Sequence, residues 1–88
     1  MNDADTGSRA ETASAVLEYL IRNLVDNPDD VRVDVVDRSG GVQLEVRVAQ
    51  GDLGRVIGRR GRTASAIRTV TRAAAVRDGV DVNVEFIE

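Results

Sequence analysis

Apolar residues recur along this chain in two periods. Ala13, Val16, Leu17, Leu20, Ile21, Leu24 and Val25 fall at three- and four-residue intervals, the spacing that lines one face of an α-helix. Ser8-Arg9-Ala10-Glu11 just ahead has the spacing of a capping box and predicts a helix start there. Asn27-Pro28-Asp29-Asp30 predicts the stop, because proline disfavours helical backbone at the residue before it. Period two follows: Val31, Val33 and Val35 alternate with Arg32 and Asp34, and Val42, Leu44, Val46 and Val48 alternate with Gln43, Glu45 and Arg47. The turn sequence Asp37-Arg38-Ser39-Gly40-Gly41 between them predicts a hairpin of β-branched strands with one buried and one wet face.

The second half starts with helix. Asp52 stands where it would cap a very short helix carrying Leu53, Val56 and Ile57, and Gly58-Arg59-Arg60-Gly61 interrupts that helix. A longer one is predicted from about Arg62 to Val76, with Ala64, Ile67, Val70 and Ala74 as its inward stripe and Asp78-Gly79 as its stop. Val80, Val82, Val84 and Phe86 alternate as a last strand, placed to pair parallel with the strand at 42–49 after its helical excursion. The order α-β-β-α-α-β predicts an α+β fold with three helices packed on one face of a three-stranded mixed sheet. Residues 1–8 are polar and aperiodic and read as a disordered tail before a single domain at 9–88.

Composition narrows the chemistry. The 88 residues include no Cys and no His, so disulfides, thiolate sites, imidazole ligands and imidazole bases are all excluded. No apolar run reaches membrane-span length and the N-terminus is acidic, so the expected compartment is the cytoplasm. The formal net charge of −3 hides an asymmetry. Every basic residue is Arg, and seven of the twelve lie between Leu53 and Arg77, a stretch with no acid; the remaining five share the rest of the chain with all 15 acids. A cationic patch on an acidic body suits a polyanion without indiscriminate binding.

The patch centres on Gly58-Arg59-Arg60-Gly61. Two glycines three apart between helices permit a tight turn and close approach of another backbone, and a helix start behind them directs amide donors toward an anion. Arg59 and Arg60 inside the turn, with Arg55 and Arg62 beside it, would supply charge to phosphates. The same glycines also suit a plain helix corner that needs positive φ. Arg68, Arg72 and Arg77 read either as an extension of the patch or as the solvated face of the second helix. Tyr19 and Phe86 are the only aromatics, which argues against a base-stacking platform. Enzyme readings fail on inventory: Gly61-Arg62-Thr63 lacks a Walker lysine, Val56 stands where a dinucleotide fingerprint needs glycine, and no carboxylate pair has an activated nucleophile beside it.

Val56-Ile57-Gly58-Arg59-Arg60-Gly61-Arg62-Thr63-Ala64 resembles the Ile-Gly-x-x-Gly loop of KH domains, and the element order resembles their bacterial type II arrangement. The resemblance is nearest to the small bacterial KH-domain RNA-binding proteins of the KhpA family, over about residues 12–88. It includes Leu24-Val25-Asp26-Asn27-Pro28-Asp29 and the ending Val82-Asn83-Val84-Glu85-Phe86-Ile87-Glu88. It implies a type II KH fold that clamps about four nucleotides of single-stranded RNA. Gly58 and Gly61 would shape the clamp and Arg59 and Arg60 meet phosphates, with Ile57, Ile67 and the Val82–Val84 strand as an apolar groove. Arg55, Arg62 and Arg68 complete the expected RNA-binding set. The resemblance further implies an RNA chaperone or post-transcriptional regulator, no catalysis, no cofactor, and a homodimer or a heterodimer with a larger KH-containing protein. The alternative is an interaction module that uses the fold chiefly to dimerise.

Overall fold

The computed structural model describes residues 9–88; the expected tail at 1–8, including the Ser8 cap, lies outside the described residues. Helix α1 spans Glu11–Arg22, strands β1 and β2 span Arg32–Arg38 and Gly41–Arg47, helices α2 and α3 span Leu53–Ile57 and Arg62–Asp78, and β3 spans Val82–Phe86. A short 3₁₀ turn occupies Pro28–Asp30, and a tight turn with left-handed backbone at Arg60 and Gly61 occupies Arg59–Gly61. This is the expected α-β-β-α-α-β order.

The strands form one sheet in the order β1-β2-β3. β1 and β2 pair antiparallel from Arg32↔Arg47 to Arg38↔Gly41, so the hairpin turn is only Ser39-Gly40, tighter than the five-residue turn expected. β2 and β3 pair parallel, with Val42↔Val82, Leu44↔Val84 and Val46↔Phe86 in register. Val42, Leu44, Val46, Val82 and Val84 are buried toward the helices, which all lie on that face. The opposite face is wet and charged: Arg47 meets Asp34 at 2.9 Å and Arg38 lies 3.8 Å from Glu45. β-branched alternation produces this division because successive side chains point to opposite faces.

α1 buries Ala13, Leu17 and Ile21. Its start is not capped by its own N-cap residue, Ala10. Instead the Asp78 carboxylate, at the far end of α3, accepts the amide N–H groups of Thr12 at 3.0 Å and Ala13 at 2.8 Å. A negative charge at a helix N-terminus satisfies open donors and opposes the helix dipole. Burial pushes the Asp78 carboxyl up, but the Ala13 and Thr12 hydrogen bonds and the nearby Arg77 outweigh it and hold it below the usual value.

α1 also ends before its apolar stripe does, at Arg22, and Leu24 is left partly exposed. The cause lies across the fold. The buried carboxylate of Asp52 accepts N–H groups from Asp26 at 3.3 Å and from Asn27, main chain and side chain, at 3.1 Å each. These donors are drawn out of helix and tied to the start of α2. Asp52 therefore does not cap α2 as expected; it makes no capping bond there.

α3 runs to Asp78, two residues beyond the expected end, and Gly79 closes it with its N–H on the Val76 carbonyl. Its buried stripe is Ala64, Ile67, Thr71 and Ala75, not the expected Ala64, Ile67, Val70 and Ala74; Val70 is 46% exposed. Among the described residues no helix is long and apolar enough to cross a membrane.

Candidate nucleic-acid interface

α2 is anchored by fully buried Val56 and ends at Ile57, where the chain must reverse into α3. Gly58 makes the reversal at φ 76°, ψ 176°, a combination open in practice to glycine alone. A Cβ there would also overlap the Thr63 side chain, 2.6 Å from its Cβ. The Gly61 N–H donates to the Gly58 carbonyl at 3.2 Å and closes the turn with Arg59 and Arg60 at its centre. Arg60 is the one non-glycine residue with positive φ among the described residues (57°), and Gly61 follows at φ 72°. Beyond its chain neighbours, no described residue lies within 4 Å of where a Gly61 Cβ would be, so that side of the turn is open. The two glycines thus have different reasons: Gly58 is required by the protein, whereas Gly61 leaves room for something else.

α3 begins immediately after Gly61, and among the described residues no side chain caps it; the Arg62 N–H is taken by the Arg59 carbonyl. The leading amides of an uncapped helix are open to an anion. Arg59, Arg60 and Arg62 are exposed, and among the described residues none of them is ion-paired. Three exposed arginines therefore stand in and beside an open turn at a helix start.

Two of the expected RNA-binding arginines are otherwise engaged. Arg55 meets Asp26 at 3.0 Å and lies 3.9 Å from Asp52, so its charge is partly spent bracing α2 to the loop after α1. Burial pushes the Asp52 carboxyl up, but hydrogen bonds from the Asn27 side chain and the Asp26 and Asn27 amides, with Arg55, hold it below the usual value. Arg68 is half-buried: its Nε donates to the Val84 carbonyl at 3.2 Å and its guanidinium lies 5.1 Å from the Phe86 ring centroid. Of the expected groove, Ile67, Val82 and Val84 belong to the core, while Ile57 is half-buried beside the turn and outside that core. Arg72 and Arg77 are exposed. A separate depression of about 530 Å³ opens between Val48–Gly51 and the C-terminal Ile87–Glu88, and no residue of the turn lines it.

Sequence reasoning missed the Asp52–Asn27 brace, the Arg68–Phe86 stack and the exposed valines of α3. An aspartate immediately before α2 and an arginine nearly two turns into the Arg-rich helix give no local sign of partners so far along the chain.

Comparison with known proteins agrees with this fold. The model of the KhpA/KhpB KH domain matches residues 14–86. "RNA-binding protein KhpA" of Mycobacterium tuberculosis is 52% identical over 68 residues, covering 77% of this chain and 84% of that protein. Proteins of the same name from Clostridium acetobutylicum (49% over 72 residues; 82% of this chain, 96% of that protein) and Chlamydia trachomatis (43% over 72 residues; 82% and 92%) are similar. A crystal structure of Aquifex aeolicus Era superposes with a TM-score of 0.64 at 17% identity, over 84% of this chain and 29% of Era, a likeness of fold alone. With a type II KH architecture and the family match running from α1 through β3, the chain belongs to the KhpA/KhpB KH-domain family, which is not an enzyme family.

Proposed function

We propose that this protein binds single-stranded RNA by clamping the sugar–phosphate backbone at the Gly58–Gly61 turn, about four nucleotides per domain. The observation that carries this reading is the open turn itself. It combines exposed Arg59, Arg60 and Arg62, an uncapped helix start, and a glycine whose missing side chain faces empty space. Phosphate contacts of this kind position a strand without reading its sequence. Gly58 shapes the turn, Gly61 admits the strand, and Arg59 and Arg60 carry the charge, with Arg62 at the start of α3. Ile57 offers apolar surface beside them, and Arg55 and Arg68 flank the path as the two arginines already anchored to the protein. The names of the similar proteins support RNA as the ligand. A non-catalytic role as RNA chaperone or post-transcriptional regulator fits a binder that works by backbone contact.

A second reading is favoured by α3. Ala66, Val70, Ala73 and Val76 are exposed at helical spacing, Val76 at 78%. Such a row suits close helix approach, so self-association, or pairing with a larger KH-containing protein, accompanies RNA binding in this proposal.

The test is an NMR titration of the labelled protein with a short uridine-rich RNA. The amides of Gly58 to Thr63 should shift first and furthest. Shifts confined to the α3 row, or none at all, would reject the clamp.

A further inference from the structure

The peptide groups of β3 alternate between its partner strand and the open edge of the sheet. The Asp81 carbonyl accepts from Val42 N–H and the Ile87 N–H donates to the Val46 carbonyl, so the odd-numbered residues face β2. Val84 therefore presents its carbonyl outward, and that carbonyl is the acceptor of Arg68 Nε at 3.2 Å. The same guanidinium lies over Phe86. An arginine on a helix face usually dissolves into solvent. This one is half-buried, fixed at one end by a hydrogen bond and across its plane by an aromatic ring.

What remains of the group is specific. With Nε engaged, the two terminal amino groups of Arg68 make no hydrogen bond or ion pair among the described residues. They form a fork of parallel donors whose rotamer cost is already met by Val84 and Phe86. The fork stands seven residues along α3 from Gly61, about 10 Å from the turn at helical rise. That distance is a step or two along an RNA strand whose backbone is clamped at the turn.

We propose that Arg68 is a specificity-determining residue that reads one unpaired base by its two adjacent hydrogen-bond acceptors. This rests on the RNA-binding reading above and deepens it. Splayed-out bases are read on their Watson–Crick and Hoogsteen edges and stack against arginine planes. Guanine offers adjacent acceptors at O6 and N7, and cytosine at O2 and N3. Adenine places a donor amino group beside N7, and uracil flanks each carbonyl with an N–H, so neither matches a donor fork. Arg68 thus gives a protein with otherwise sequence-blind phosphate contacts a preference for one guanine or cytosine beside the clamp.

The test uses the whole chain and a set of heptamer RNAs, uridine throughout except for one central nucleotide. Kd is measured by fluorescence anisotropy for central uridine, adenosine, guanosine, cytidine and 7-deazaguanosine, which lacks only the N7 acceptor. The guanosine or cytidine heptamer, or both, should bind roughly 5- to 100-fold tighter than the uridine one, and adenosine should match uridine. Loss of the guanosine advantage on 7-deaza substitution assigns the Hoogsteen edge, whereas an advantage confined to cytidine assigns its Watson–Crick edge. In Arg68→Lys, which keeps the charge but not the fork, and in Arg68→Gln, the ratio of affinities should fall to about one, as expected once a bidentate contact is gone. Equal binding of all heptamers by the wild type overturns the proposal while leaving the clamp standing, as does an undiminished preference in both variants. Failure of a folded wild type to bind any heptamer overturns the clamp and this proposal together.

Discussion

Placing a methyl group at Gly58 and at Gly61 should have different consequences, although both are glycines of one four-residue turn. At Gly58 an alanine must adopt φ 76°, ψ 176°, at about 1–3 kcal/mol for a side-chain-bearing residue. Its Cβ would also press on Thr63, an overpacking that adds about 1–3 kcal/mol. The sum, roughly 2–6 kcal/mol, compares with about 4–13 kcal/mol of total stability for a domain of this length. At Gly61 the left-handed conformation costs about 1–2 kcal/mol and the Cβ meets nothing. Urea unfolding followed by circular dichroism separates the two. With a slope of about 1 kcal/mol/M, Gly58→Ala should lower the midpoint by roughly 2 M or more and Gly61→Ala by about 1–2 M. Thr63→Ala in the Gly58→Ala background should recover part of the loss, because it removes the hydroxyl that the new Cβ meets. RNA affinity should divide the other way: folded Gly61→Ala should bind more weakly, since its methyl occupies the space left for the strand. Equal destabilisation at the two positions, or Gly61→Ala binding as tightly as wild type, would refute this assignment of roles.

Other outcomes follow from the braces and faces of the fold. Asp52 and Asp78 are both held below the usual carboxylate value in the folded protein. The unfolded chain therefore binds the protons first, so their stabilisation is complete above about pH 4 and is lost as pH falls through the lowered folded values. Asp52→Asn and Asp78→Asn should each flatten the acid limb of a melting-temperature profile; an unchanged limb in both would deny them that role. Leu17→Ala should cost about 2–5 kcal/mol in chemical denaturation, and Leu20→Ala less, because Leu17 is fully buried and Leu20 only partly. Val70→Asp, on the exposed row of α3, should shift a self-associating sample to monomer in sedimentation equilibrium, and an unchanged mass would remove that row as the contact.

How far the fold can be read from the residues depends on how much contrast each element carries. The strands were legible because valine alternates with charged residues, and a one-residue slip would turn Val42, Leu44 and Val46 to solvent. α3 was not legible in the same way. It is rich in alanine on several faces, so the stripe moved from Val70 and Ala74 to Thr71 and Ala75 without any loss of small-residue packing. Thr71 reads as polar yet is buried, its hydroxyl without a hydrogen-bond partner among the described residues. The helix ends were misread for another reason. No local signal points to Asp78, which meets the Thr12 and Ala13 amides of α1 from 66 residues beyond Thr12. At the candidate site, the glycine spacing and the acid-free arginine run located the turn. Counting arginines did not tell Arg59 and Arg60, which face solvent, from Arg55 and Arg68, which have partners inside the protein.

The central claim is that the turn's arginines neutralise RNA phosphates. It is tested most directly by the salt dependence of binding to one short single-stranded RNA, wild type against Arg59→Gln/Arg60→Gln. For single strands the slope of log affinity against log salt is about −0.7 for each phosphate neutralised. The folded variant should bind more weakly, with a slope shallower by about 1.4, the share of two contacts. Equal slopes for the two proteins would contradict it and place the phosphate contacts elsewhere on the surface.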